Sequence, residues 1–283
     1  MAPLIVNLAP TGMVPTLRDN ASLPITPEAI ARDAAACRAI GASIVHLHAR
    51  GPDGAPTWQP EAYRRVIADV RRLAPDLVIC VSTSGRTFGA FEQRSAVLDL
   101  DGSEKPDMAS LTLGSMNFPT QASVNEPAMI EALAARMQER GIVPELEVFD
   151  LGMLDFARHL VARRVLRPPF YVNVLLGSRG TLAATPFNLA LMAQSLPEGA
   201  TWAGAGIGRF QFSVNALAIT MGGHVRVGLE DSLFMDAAKA QPASNVALVQ
   251  RLVTLGRAAG REPATPDQAR AIIGLPPRPA ASS

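Results

Sequence analysis

The chain has 283 residues, of which 48% are hydrophobic and 18% charged, with a formal net charge of +1. That length can bury a substantial core in one large α/β domain or two small ones, and the near-neutral balance excludes nucleic-acid or membrane binding built on bulk basicity. Apolar runs stay short of the roughly 18 residues of a membrane span, the N-terminus carries no export signal, and Cys37 and Cys80 are too few for a disulfide framework, so a cytoplasmic protein is expected.

In chain order, strand-like runs are expected at 4–9, 43–49, 77–84, 108–114, 143–150, 170–177, 201–208 and 224–230, with helical segments between them. Thr26-Pro27-Glu28 opens the first helix with a cap and a proline at the first helical position, and Pro60, Pro127 and Pro186 open others in the same way. Gly41 and Gly141 mark helix ends just before strands. Alternation of strand and helix without an antiparallel hairpin signal predicts parallel βαβ units, and eight of them make a single-domain (β/α)8 barrel. A doubly wound open sheet is the alternative, but Ala9-Pro10-Thr11-Gly12 is not the glycine-rich turn such a fold shows after its first strand. The barrel is expected over residues 1–275, with 276–283 a flexible tail.

Side-chain alternation then sorts lumen from helix-facing positions. The second strand puts His46, His48 and Arg50 on one face, and the third turns Cys80, Ser82 and Ser84 inward. Ser110 and Thr112, then Glu145 and Glu147, then Asn173 follow on the next three strands. Gly204, Gly206 and Gly208 line one face of the seventh and are assigned to the lumen, and the eighth turns His224, Arg226, Gly228 and Glu230 inward. Barrel cores normally hold bulky aliphatics, so this much inward polarity calls for a site at the carboxyl ends of the strands.

Two imidazoles about 7 Å apart on one strand can meet at one metal ion, and Glu230 supplies a third ligand. Two imidazoles and a carboxylate suit Zn²⁺ with one position open; Mn²⁺ and Fe²⁺ share the ligand preference, and a lumen salt bridge between Glu230 and Arg226 is the plainer reading. Asp231 could pair with Arg226 as an acid/base group or cap a following helix. The loop Ser82-Thr83-Ser84-Gly85-Arg86 has donors for a substrate carboxylate. Gly206, Gly208 and Arg209 suit phosphate binding, as for a cofactor, or close helix–strand packing. His159, His224 and the run Arg158, Arg163, Arg164 and Arg167 are read as structural or surface residues.

These motifs together resemble the β-keto acid cleavage enzymes, whose founding activity is 3-keto-5-aminohexanoate cleavage. The resemblance is carried by His46-Leu-His48-Ala-Arg50, Ser82-Thr-Ser-Gly85-Arg86, Ser110-Leu-Thr-Leu-Gly-Ser-Met-Asn117-Phe, Glu145-Leu-Glu147-Val-Phe-Asp150 and, most specifically, Gly222-Gly-His-Val-Arg226-Val-Gly-Leu-Glu230-Asp231. It implies a zinc-dependent (β/α)8 barrel that condenses a β-keto acid with acetyl-CoA, giving acetoacetate and a new acyl-CoA. It implies His46, His48 and Glu230 as metal ligands, the hydroxyls of Ser82 and Thr112 on the substrate carboxylate, and an Arg226–Asp231 acid/base pair; Gly85 of the Ser82 loop is expected as a substrate contact beside them. A glutamate of the fifth strand also belongs to the site, and Glu147 is expected because it lies nearer the catalytic end; Asn173 is added as a further substrate contact.

One departure bears on the substrate. Members that act on an amino-bearing substrate carry Glu where this chain has Val14, after Met13. A substrate without an amino group is therefore expected, its far end apolar or neutral unless Arg18 reaches in to select a second carboxylate. Ser232 stands where Asn is common. A metal-dependent hydrolase would want further histidines on the fifth and sixth strands, which are absent, and a non-catalytic metal- and acyl-CoA-binding regulator is the reading from another class. Partners are then small molecules, with neither nucleic acid nor membrane, and assembly into a homo-oligomer through helix faces is expected.

Overall fold

The computed structural model describes residues 2–277. Threonines and prolines set the helix starts as the sequence predicts. Thr26 accepts from Ala29 N–H ahead of α1 (Pro27–Ile40), and Thr185 from Asn188 N–H ahead of α6 (Pro186–Gln194). Pro60 and Pro127 open α2 (Pro60–Leu73) and α4 (Pro127–Arg140). Gly41 and Gly141 end α1 and α4 at positive φ. The remaining helices are α3 (Phe91–Ser95), α5 (Leu151–Ala162), α7 (Gln211–Thr220), α8 (Asn245–Ala258) and α9 (Pro266–Ile273).

Among the described residues, eight parallel strands close into a barrel: β1 (Val6–Leu8), β2 (Ile44–Leu47), β3 (Val78–Val81), β4 (Met108–Thr112), β7 (Val143–Val148), β8 (Tyr171–Leu176), β9 (Thr201–Gly206) and β10 (His224–Val227). Each sits inside an expected run. β10 pairs with β1, with Asn7 opposite Arg226, so the ends of the chain close the ring. The chain is therefore a (β/α)8 barrel. No helix among the described residues is long and apolar enough to cross a membrane. The tail expected from 276 lies, from 278 onward, outside the described residues.

The lumen is layered. Ile5, Ile44, Val78, Cys80, Met108, Tyr171 and Ala203 form an apolar floor, and Ala269 and Ile273 of α9 pack onto it. Arg270 of that helix donates to Asp107 Oδ1 at 2.6 Å, which ties α9 to the strand bottoms. Above the floor the inward positions turn polar: Asn7, His46, Glu145, Asn173 and Arg226 are all buried.

Two expectations are corrected. Gly204 and Gly206 do not face the lumen: a Cβ on Gly204 would lie 2.7 Å from Ala218 Cβ, and one on Gly206 2.2 Å from the Phe210 carbonyl oxygen. They are helix-facing contact points that let α7 lie close against β9, so alternation was assigned to the wrong face where no side chain marks it. The structure also holds an antiparallel hairpin, β5 (Met116–Asn117) with β6 (Ala122–Ser123), inserted between β4 and α4. Its two-residue strands leave no periodic pattern to read.

Candidate active site

His46 and His48 rise from the end of β2 with their Nε2 atoms 3.3 Å apart. Glu230, past the end of β10, brings Oε1 to 3.3 Å from His48 Nε2, and the three ligand atoms lie within 4.8 Å of one another. Glu230 reaches this position because Gly12 makes room: a Cβ there would sit 2.6 Å from Glu230 Cγ, and its φ is +66°. The other oxygen, Oε2, is buried with no hydrogen-bond partner. Beneath them His46 Nδ1 lies 2.6 Å from Glu145 Oε2, so Nδ1 carries the proton and the Nε2 lone pair faces His48 and Glu230. Asn7 Nδ2 donates to the second Glu145 oxygen at 2.6 Å. Burial opposes the Glu145 charge, but His46, Arg226 and Asn7 outweigh it and hold the carboxyl down at about 2.

Arg226, 2% exposed, ties the rest together. Its Nε donates to Asp231 Oδ2 at 3.1 Å, Nη1 to Glu147 Oε1 at 2.9 Å and Nη2 to Glu230 Oε1 at 2.7 Å, and Nη1 lies 3.9 Å from Glu145. Burial would discharge the guanidinium, but the surrounding carboxylates, Asp231 foremost, hold it charged. Burial likewise raises Asp231 to about 6, the range of an acid/base group near neutral pH. Its backbone carbonyl accepts from Gly208 N–H at 2.7 Å, which fixes it. One guanidinium thus faces four carboxylates in a buried cluster. A donor set of two imidazole nitrogens and an orphaned carboxylate oxygen, in a site short of positive charge, fits a divalent cation. A second trio, His46, Cys80 and Glu145, does not, because His46 Nδ1 and Glu145 already satisfy each other and burial keeps the Cys80 thiol protonated.

A cavity of about 880 Å³ opens over these groups. Of the residues singled out from sequence, Val14, His48, Ser82, Thr112, Glu147, Gly208, Arg209, Arg226, Glu230 and Asp231 line it, with His46 directly beneath. Thr112 donates its hydroxyl to Glu147 Oε2 at 2.8 Å, whereas the Ser82 hydroxyl accepts from Ser84 N–H and keeps its own hydrogen to donate. Gly85, Asn173 and Gly206 are not on the lining. Gly85 packs against Arg94 and the Val124 carbonyl, Gly206 faces α7, and Asn173 lies deeper in the lumen, opposite Glu147, with both amide atoms unpartnered. Arg18 is exposed and outside the cavity.

Several contributors have no role assigned from the sequence, although Arg50, Met116 and Phe118 lie in the runs quoted above. Arg50 donates to the carbonyls of Gly12, Gly54 and Pro15 and so pins the loop that carries Val14 to the cavity. The hairpin adds Met116, Phe118 and Ser123 to the lining. Glu145 was legible as inward, but its bond to His46 depends on depth in the barrel, which alternation does not give.

A family model described as beta-keto acid cleavage enzyme matches residues 3–275. The 3-keto-5-aminohexanoate cleavage enzyme of Fusobacterium nucleatum subsp. nucleatum is 41% identical over 276 residues, covering 97% of this chain and 99% of that protein. The 3-oxoadipate:acetyl-CoA acetyltransferase of Cupriavidus necator is 38% identical over 278 residues, covering 97% and 95%. Among solved structures, apo ObcA matches with a TM-score of 0.81 at 22% identity, over 90% of this chain and 66% of that one, a likeness of fold.

Proposed function

We propose, from the premise that this chain belongs to the beta-keto acid cleavage enzyme family, that it condenses a β-keto acid without an amino group with acetyl-CoA, releasing acetoacetate and a new acyl-CoA. The observation that carries this reading is the convergence of His46, His48 and Glu230 beside the Arg226–Asp231 pair at the floor of one cavity. His46, His48 and Glu230 would hold Zn²⁺, which supplies Lewis acidity to a substrate carbonyl when bound. Asp231, oriented by Arg226, takes up and returns the proton as the carbon–carbon bond is remade, and Glu147, held by Arg226 and Thr112, fixes the guanidinium from the other side. Ser82 donates to the substrate carboxylate. Arg209, exposed at the rim, suits a phosphate of acetyl-CoA; the Gly208 N–H is already used by Asp231.

The amino-free substrate is supported by what borders the cavity mouth. Val14, 55% exposed, and Met13 offer no counter-charge to an ammonium group, whereas Arg86, Arg179, Arg209 and Lys239 line the same space. Overall identity does not separate the substrates, since relatives named for amino-bearing and amino-free compounds stand at 41% and 38%. We also read the protein as a cytoplasmic homo-oligomer, which the buried free cysteines and Phe187, 73% exposed on α6, suit.

The test is metal analysis of the purified protein together with a panel of β-keto acids assayed with acetyl-CoA. Zinc near one per chain and acetyl-CoA-dependent turnover are expected, and Asp231→Ala should retain zinc while turnover falls at least about 100-fold. The reading fails if no member of the panel reacts, or if Asp231→Ala is as active as the parent, the result expected of a binding protein. Fastest turnover of the amino-bearing acid would refute the substrate assignment alone.

A further inference from the structure

Every acid on the cavity lining is already engaged. Glu147, Glu230 and Asp231 bond to Arg226, and Asp236 accepts from the N–H groups of Ala240 and Gln241. Among the lining cations Arg179, Arg209 and Lys239 are exposed at the rim, but Arg86 is half-buried. Its Nε is buried with no hydrogen-bond partner. The guanidinium lies over the Phe118 ring, 3.9 Å from the centroid, and Phe118 is braced edge-on by Phe149 at 5.9 Å. The backbone is pinned on both sides, with Arg86 N–H donating to Ser84 Oγ and Gln121 Nε2 donating to the Arg86 carbonyl. Burial draws the Arg86 pKa down and the charge of Glu230 partly offsets it, so the guanidinium is within electrostatic reach of the candidate metal ligands.

A guanidinium stacked on one face keeps its donor edge free and loses little freedom on binding, which suits two-point capture of a carboxylate. Ser82, on the same loop, already serves the carboxylate of the β-keto acid unit in the function proposed above. We infer that Arg86 is the specificity-determining residue for a second carboxylate, so that the preferred substrates are β-keto dicarboxylic acids. This inference rests on the proposed function and fills the place that the sequence left to Arg18. The hairpin thereby gains a task, since Phe118 holds the arginine that reads the far end of the substrate.

The test uses a matched pair, 3-oxoadipate and 3-oxohexanoate, which have the same carbon chain and differ in the terminal carboxylate. For the parent enzyme the ratio of kcat/KM, dicarboxylate over monocarboxylate, should exceed tenfold. Arg86→Met should lower that ratio at least thirtyfold through KM for the dicarboxylate, and Arg86→Lys should recover part of it. An unchanged ratio, with both acids losing equally, overturns the inference and assigns Arg86 to the shared carboxylate. A rise in the acetyl-CoA KM with the ratio intact overturns it in favour of a CoA phosphate. Turnover of the monocarboxylate alone, or of neither acid by a zinc-loaded parent enzyme that converts another member of the panel, refutes the inference and leaves the proposed function standing, while turnover of no member of the panel refutes both.

Discussion

Replacing Glu145 with glutamine isolates what a buried carboxylate does for a histidine that it orients. Glu145 is fully buried and accepts from His46 Nδ1 and Asn7 Nδ2, both at 2.6 Å. Glutamine keeps the shape, and Asn7 can follow by turning its Oδ1, which has no partner, towards the new amide. The loss then falls on His46, whose N–H meets a neutral oxygen in place of a charged one, roughly halving that bond and making Nε2 a poorer ligand. Such partners are typically worth 10–100-fold in metal affinity, or about 1.4–2.7 kcal/mol. Glu145→Gln should therefore raise the zinc Kd by that factor in competition against a chromophoric chelator, with a far-ultraviolet spectrum unchanged. Glu147→Gln serves as the contrast, because Glu147 bonds Arg226 and Thr112 and not a histidine; turnover should fall while the zinc Kd stays within about threefold. A Glu145→Gln protein that binds zinc as tightly as the parent refutes the orienting role.

Two further outcomes concern the scaffold. His224 accepts from Ile5 N–H and sits against Arg261, and burial with that charge lowers its pKa to about 4. Its contribution to stability is complete above pH 6.5 and is lost as pH falls towards 4, so urea unfolding should show about 2 kcal/mol less stability at pH 5 than at pH 7.5 from this group, a slope that His224→Gln removes. Gly228→Ala would put a Cβ 2.0 Å from the Ala9 carbonyl oxygen, where β10 presses on β1 just before Glu230; a loss of about 3 kcal/mol or more is expected, read as a lower Tm, and an unchanged Tm would show that the two strand ends can part freely.

Alternation made most of this barrel readable, because each inward side chain had an apolar neighbour on either side to fix its direction. His46, Arg226 and Glu147 fell on the lumen for that reason. Gly204 and Gly206 failed because glycine has no side chain to carry polarity, and the close approach of α7 that explains them is a three-dimensional fact. Depth separates Glu145 from Glu147, two residues of one face, into a partner of His46 and a cavity group. The stacked pair of Arg86 and Phe118 joins a strand end to a hairpin too short to leave a periodic trace.

The knot of contacts where the chain ends meet has a consequence for the order of events at the ribosome. Arg261 donates to the carbonyls of Ala2, Ile219 and Gly223, Ala264 N–H bonds the Leu4 carbonyl, and α9 then caps the apolar floor. The first strand of the barrel pairs with β2 early, but its other edge waits for its partner until the last strand has emerged. The floor stays wet until Ile273 follows, a delay of a few seconds at the ~5–20 residues per second of synthesis. Through that interval the edges of β1 and of the growing sheet are unpaired, and a nascent chain halted before α9 should be the form that chaperones hold and proteases cut.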